Sequence, residues 1–316
     1  MSAPASEDRS EARTGASVGA RPDDVNEYVI RAGAGDVVTD VTPERAGWSY
    51  SGLEVRVLDG GARHVWDLTE DEGGLLPLRG AVSVQVTTAD GERVELELTG
   101  RDAVWEGAVD FAYLPLGSRV EVLAGDGGAR VALARARASR TLPVQVLRAA
   151  DVPMLLRGTG SCSRQVHNYT IGAQLEVERL LVCEVYTPGG NTSGYPPHKH
   201  DTHSDVEREL EEIYYFEVAD TPGGPGMAYH RNYGTPDRPI DVLAEVRTGD
   251  VALVPHGYHG PSMTLPGVDL YYLNVMAGPA TDGEWLMVDD PAWAWLRESW
   301  EGQPVDPRLP FGRSDR

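Results

Sequence analysis

Short runs of alternating apolar and polar residues, each closed by a turn signature, constrain this chain more than any other feature. Between Gly52 and Ala138 lie SGLEVRVLDGG, AVSVQVTTADGERVELELTG and RVEVLAGDGGARVALARA. A period of two sends successive side chains to opposite faces, so each run predicts a half-buried β-strand. Asp90-Gly91 and the Gly125 to Gly128 stretch fall between runs, where a hairpin needs residues that tolerate positive φ. The pattern resumes after the connecting segment Thr141 to Pro153, in ERLLVCEVYTPGG, EEIYYFEVAD, GMAYHRNYG, DVLAEV, VALVP and LYYLNVMAG. The chain is therefore expected to be all-β, its first half a sandwich or barrel. Only Ser204 to Leu210 and Pro291 to Trp300 read as helical, the second entered through Asp290 and Pro291.

A chain of 316 residues is longer than one hydrophobic core usually supports. Two domains are expected, over 26–150 and 151–316, behind a disordered lead-in over 1–25 whose mixed charges include no apolar signal segment. No apolar run approaches the roughly 18 residues of a membrane helix. The net charge of −21 disfavours nucleic acid and anionic membranes as partners, and any anionic ligand must meet a local basic pocket. Cys162 and Cys183 are too few for a disulfide framework and fit a reducing cytoplasm.

Of the eight histidines, only His64 precedes residue 160, which makes the first half a scaffold or wall and concentrates imidazole chemistry in the second. The stretch YPPHKHDTHSDVERELEEIYYFEVAD puts His198 and His200 two residues apart, on one face of a strand. On the following strand Glu212, Tyr214 and Phe216 share one face, and Glu211, Ile213 and Tyr215 the other. Glu212 is favoured as a ligand because its face continues into an aromatic interior; His203, in a polar insertion, is better read as a surface residue. Further on, TGDVALVPHGYHG supplies a fourth ligand, His259, with His256 as the alternative or as a group that orients the loop. His167 and His230 are read as hydrogen-bonded structural residues. Three histidines and one carboxylate suit a single divalent ion: zinc, manganese, iron(II) or nickel.

The segments TPGGNTSGYPPHKHD, LEEIYYFE, GWSYSGLEV and VPHGYHG closely resemble the 5-deoxy-glucuronate isomerase family of bacterial myo-inositol catabolism, over about Gly47 to Trp300. The two histidine segments resemble paired cupin motifs, with DTHSDVEREL inserted between His200 and Glu212. The resemblance implies a bicupin: two jelly-roll β-barrels, a metal-free N-terminal one and a metal-bearing C-terminal one with a short C-terminal helix. It also implies aldose–ketose isomerisation of 5-deoxy-D-glucuronate to 5-dehydro-2-deoxy-D-gluconate through a metal-stabilised enediolate. The related uronate isomerases of pectin breakdown imply zinc, held here by His198, His200, Glu212 and His259. One departure keeps His256 in contention: the family's second motif has two residues between Gly and His, and this chain has only Tyr258.

Isomerisation needs a base distinct from the ligand carboxylate, and Tyr214, His256 and Tyr229 are the candidates in that order. A sugar-acid substrate favours a planar guanidinium as its carboxylate partner, for which Arg164 and Arg231 are the candidates. Two other activities suit the same residues: a cupin dioxygenase using iron or nickel, and a sugar-binding bicupin without catalysis. Cupins pair through sheet faces or edges, so a homo-oligomer is open.

Overall fold

Strand pairing sorts the chain into four antiparallel sheets in the computed structural model, which describes residues 26–172 and 174–312. The expected lead-in over 1–25 lies outside the described residues. No helix among the described residues is long and apolar enough to cross a membrane.

The first unit pairs a six-stranded sheet, in the order Gln145–Leu147, Phe111–Leu114, Asp71–Arg79, Ala129–Arg137, Ser51–Leu58, Val37–Val41, with a four-stranded one, Arg63–Asp67, Arg119–Ala124, Val82–Thr87, Arg93–Leu98. The second unit has a seven-stranded sheet in the order Val29–Ile30, Val251–Val254, Glu211–Val218, Leu270–Ala277, Leu181–Thr187, Arg164–Asn168, Met154–Arg157. Facing it is a sheet of Arg238–Val246, Ala228–Thr235, Tyr258–Thr264, His198–Lys199 and Val288–Asp289, with Thr192–Ser193 also paired to Tyr258–Thr264. The chain is an all-β cupin-fold protein. Val29–Ile30 departs from the expected 26–150 boundary: it pairs with Ala252 and Val251 at the edge of the second unit, where Asp250 accepts the Ala32 N–H at 3.1 Å.

The two large sheets pack face to face, and this explains the apolar runs that do not alternate. Ile213, Tyr215, Tyr271, Leu273 and Val275 face the first unit and pack with Leu53, Val55, Leu76 and Ala132. Their neighbours Tyr214, Phe216, Tyr272 and Met276 fill the second unit's interior. Leu75, Val131 and Leu133 likewise turn into the first. All eight residues of Leu270–Ala277 are consequently buried.

Three carboxylates join the units by accepting hydrogen bonds across the boundary. Glu72 takes the N–H groups of Glu178, Arg179 and Leu180 at 2.9, 2.6 and 2.8 Å. Glu211 takes those of Ser49, Tyr50 and Ser51 at 2.7, 2.8 and 2.8 Å. Fully buried Glu184 accepts from Tyr169, Tyr186 and Tyr271 at 2.7, 2.9 and 2.8 Å and is bridged by the first unit's Arg101. Burial opposes its ionisation, but the Arg101 charge and the His167 contact outweigh that and hold its carboxyl well below the ordinary value.

The two helical expectations fare differently. Ser204 to Leu210 is irregular rather than helical, because Glu207 folds back to accept from the Asp201 and Thr202 N–H groups at 2.8 and 3.1 Å and from Lys199 Nζ at 2.7 Å. Such local side-chain bonds compete with the helical ladder. Near the end, the helix is a 3₁₀ segment, Ala294–Trp300, starting later than Pro291. Trp293 and Trp295 are exposed, the Trp293 ring 5.9 Å from that of Tyr195, whereas Trp300 lies beside Arg164 and Arg297.

Removing Glu184 should leave Arg101 buried without a counter-charge. Glu184→Ala is expected to cost about 3–5 kcal/mol in urea unfolding, and Arg101→Met with Glu184→Leu should be closer to the parent than Glu184→Ala alone. If the double variant is the weaker, the Arg101–Glu184 pair is not the source of the loss.

Candidate metal centre

His198 and His259 face each other across an antiparallel pair as direct Cα partners. His200 follows at the end of the same short strand, and Glu212 enters from the opposite sheet, between Val254 and Met276. All four side chains are buried. Each imidazole sets its Nδ1 against a backbone carbonyl: His198 against Pro196 at 3.2 Å, His200 against Leu210 at 3.1 Å, His259 against Gly257 at 3.5 Å. That contact fixes ring orientation and frees Nε2 as a lone-pair donor.

The Nε2 atoms of His200 and His259 each lie 2.9 Å from Glu212 Oε2. The ligand atoms of these three residues are all within 4.8 Å of one another. The His198 ring adds a fourth side, 4.4 Å from the His259 ring, with its buried Nε2 unpartnered. Glu212 Oε1 is also buried without a partner. Buried polar atoms are rarely left so, and three imidazole nitrogens around one carboxylate form a donor set that fits a divalent transition metal.

The electrostatics agree. Burial opposes the Glu212 charge, but the His259 and His200 imidazoles overcome it and hold the carboxyl well below its ordinary value. Burial, reinforced by the two neighbouring imidazoles, pushes His198 well below its usual value and keeps it neutral. For His200 burial acts downward, yet the Glu212 contact prevails and raises it. A metal needs the neutral imidazole and the ionised carboxylate, so acid should weaken its hold.

Two glycines shape the turn that delivers His259. Gly257 has φ +85°, and a Cβ there would come within 2.7 Å of the Tyr233 carbonyl oxygen. Gly260, at φ +95°, leaves no room for one against the Gly194 carbonyl. Asp201 ties this turn to the histidine strand, accepting from Gly257 N at 2.9 Å and from Lys199 Nζ at 2.7 Å. Burial opposes ionisation, but these bonds hold Asp201 at about 2. Its contribution is therefore complete above its ordinary 3.8 and lost as pH falls towards 2.

The other sequence candidates separate clearly. His256 is half-buried in the bend before the strand, its charged neighbours being Arg238 and Asp201, and it is not among the converging ligands. Tyr229 is half-buried on a strand whose buried, inward set is Ala228, His230 and Asn232, so it occupies the opposite face. Arg231 shares that outer face and is bound to Asp241 and the Val242 carbonyl. None of these three serves the cluster. Tyr214 and Arg164 do share a cavity with His198, together with Arg157, Tyr272, Asn274, Trp285 and Arg297. Burial and the Glu212 charge keep the Tyr214 phenol protonated, far above its ordinary range.

His203 is exposed, as expected. His167 lies against Gln165 at 2.8 Å, and His230 bonds Ser262 at 2.9 Å, both in structural contacts. His230 is pushed down to about 3 by burial, with His259 adding to the effect, and its ring lies 4.7 Å from that of Tyr214, tilted by 45°. The sequence pattern did not single out Asn274, although a lone amide inside the apolar run LYYLNVMA was a signal; its Nδ2 is buried without a partner. Arg157 and Arg297 carried no such signal.

Comparison with known proteins gives concordant results. A family model described as the KduI/IolB family matches residues 26–296. A 5-deoxy-glucuronate isomerase of Geobacillus kaustophilus is 39% identical over 83% of this chain and 91% of its own length. Another, from Listeria monocytogenes, is 36% identical over 83% of this chain and 92% of its own. An IolB-like crystal structure from Salmonella typhimurium superposes with a TM-score of 0.77 at 33% identity, covering 85% of this chain and 99% of that one. An oxalate decarboxylase of Bacillus subtilis, 12% identical with a TM-score of 0.60 over 83% of this chain and 79% of its own, shares the fold alone.

Glu212→Gln should abolish stoichiometric metal in protein purified without chelator, whereas Glu211→Gln should retain it. Asp201→Asn should keep the metal but weaken its affinity about 10–100-fold, the range for removing a group that orients ligands. Metal analysis on folded variants checks both; equal metal in the two glutamate variants would show that Glu212 is no ligand.

Proposed function

Because this chain belongs to the KduI/IolB family, we propose that it is a metal-dependent aldose–ketose isomerase that converts 5-deoxy-D-glucuronate to 5-dehydro-2-deoxy-D-gluconate in inositol catabolism. The observation that carries this is the convergence of three orientation-locked imidazoles on one buried carboxylate, beside a cavity rich in guanidinium groups. The curated relatives' names supply the reaction.

His198, His200, Glu212 and His259 hold the ion, which we take to be zinc; when bound, it supplies Lewis-acid stabilisation of charge developing on substrate oxygens. In the reaction the C2 hydrogen leaves as a proton and returns to C1, while the O2 proton passes to O1. Glu212 is committed to the imidazoles, so the protons are handled by other groups. Tyr214 is the residue we assign to the oxygen proton, giving its own to O1 as it takes the one from O2: its ring stands 6.0 Å from the His259 ring, and it shares the cavity with His198. A phenol held protonated does not take the C2 proton, which passes to a separate base. Its hydroxyl holds a proton to deliver at a substrate oxygen. Tyr272 packs 5.1 Å from Tyr214, and with Phe216 keeps water from the inner wall.

The first unit acts as scaffold, and the working division of the chain falls at 150/151, with Val29–Ile30 crossing over to the second unit. Both cysteines are free, in keeping with a cytoplasmic enzyme.

Purified metal-loaded protein is expected to consume the aldehyde of 5-deoxy-glucuronate and form the ketone without oxygen uptake, and to stop when a chelator removes the ion. Tyr214→Phe should retain metal and lower kcat by about 10²–10⁴-fold, the usual contribution of a positioned acid or base. Turnover coupled to oxygen would instead favour a dioxygenase, and no turnover by metal-replete protein would leave a binding role.

A further inference from the structure

Arg157 and Arg164 are direct partners on adjacent antiparallel strands, Met154–Arg157 and Arg164–Asn168. Like charges directly opposite one another destabilise a sheet, so this pairing calls for a reason. Neither guanidinium makes an ion pair with a carboxylate among the described residues. Arg164 reaches only the Cys162 and Tyr195 carbonyls, at 3.2 and 3.5 Å. Most other described guanidiniums are matched with acids, as in Arg101 with Glu184, Arg130 with Glu217 and Arg137 with Glu44, while Arg45, Arg79 and Arg93 are not. Arg79 and Arg130 also face each other, but there Glu217 neutralises Arg130; in a chain of net charge −21, the Arg157–Arg164 pair has no such acid among the described residues.

The tail builds on the same spot. The 3₁₀ segment Ala294–Trp300 places the Trp300 ring 5.7 Å from the Arg164 guanidinium carbon and 5.6 Å from that of Arg297. Arg297 is itself fixed by Asp289. Burial lowers Arg164 from its ordinary value, and the neighbouring Arg157 and Arg297 charges act in the same direction. All three arginines line the cavity that holds His198 and Tyr214, where Trp285 Nε1 is a further buried donor without a partner.

We propose that Arg157 and Arg164, steadied by Arg297 and Trp300, form the subsite for the carboxylate of a sugar acid whose carbonyl end reaches the metal ligands. This rests on the isomerase assignment for the reacting end and adds the group that selects the substrate. A planar guanidinium presents paired donors that match a carboxylate, and two of them facing each other accept its charge while cancelling their own repulsion. A neutral hydroxymethyl end would leave the part-buried Arg164 guanidinium without a counter-charge, which is the basis of the discrimination, whereas exposed Arg157 stays hydrated. The subsite also concentrates positive potential at one place on an acidic protein, where an anionic substrate needs it.

The test is calorimetric titration of the metal-loaded full chain with D-glucuronate and, separately, D-glucose, alongside steady-state kinetics with 5-deoxy-glucuronate. Arg157→Gln and Arg164→Gln should each weaken D-glucuronate binding by about tenfold or more, as expected for loss of a charged hydrogen bond. Metal content and the response to D-glucose should stay at the parent level, and KM should rise more than kcat falls. Should either glutamine variant fail to fold, Arg157→Lys and Arg164→Lys keep the charge and lose the fork, and a drop of at least about threefold is expected. Parent protein that binds D-glucuronate no better than D-glucose, or variants within twofold of the parent with full metal content, would overturn the subsite. If the parent shows arginine-dependent D-glucuronate binding yet no turnover, the isomerase assignment fails and the subsite stands.

Discussion

A strand buried on both faces has no solvent side, so every residue of Glu211–Val218 must satisfy one of two interiors. Its alternation decides the molecule. Glu212, Tyr214 and Phe216 turn into the second barrel, and Glu211, Ile213 and Tyr215 turn towards the first unit. Slipping the register by one residue would exchange the two glutamates and carry the Glu212 carboxylate to the interface between units. Both carboxylates are therefore held from two directions, Glu212 by imidazoles and Glu211 by three backbone N–H groups. The first unit is thus more than a weight attached to the active one, since it supplies the donors that fix which face Glu211 takes.

The chain's acidity also has an internal use. Glu72, Glu184 and Glu211 cross the boundary between units as acceptors, and Asp110 and Glu178 do similar work at backbone N–H groups within loops. A buried carboxylate is costly unless its oxygens are filled with donors, and here each oxygen is filled by backbone, tyrosine or arginine. Several of the buried polar atoms left without partners lie together. Glu212 Oε1, His198 Nε2 and His259 Nε2 lack hydrogen-bond partners at one point inside the second barrel, where a cation would satisfy all of them.

How much of this was legible in the sequence follows from the range of the interactions. Period-two runs report on a strand's own faces, so the all-β class and the placing of Glu212 and Glu211 on opposite faces could be read directly. The spacing of His198 and His200 is equally local. The choice between His256 and His259 was not, because it depends on where the strand begins after Gly257 and on which residue falls opposite His198. Tyr229 and Arg231 were in principle legible, since alternation with buried His230 and Asn232 puts them on the outer face; the segment's position near the site outweighed that pattern. Ser204 to Leu210 has helical composition, but Glu207 bonds to the chain five and six residues before it, and no propensity encodes that.

The arginine pair was the least legible feature, and the reason is geometric. Arg157 and Arg164 are separated by GTGSCS, and only the hairpin register brings them opposite each other. Arg297 arrives from a 3₁₀ segment more than a hundred residues later in the sequence, carrying Trp300 between itself and Arg164. His198, His200 and His259, by contrast, lie on or directly beside paired strands with their rings pinned by backbone carbonyls. One end of the cavity is therefore set by sheet register and the other by a hairpin at the sheet edge together with the tail. This division suits a binding site in which the reacting end demands fixed geometry and the charged end demands access: the ligands lie in the barrel interior, and Arg157 stands exposed where an anion would enter.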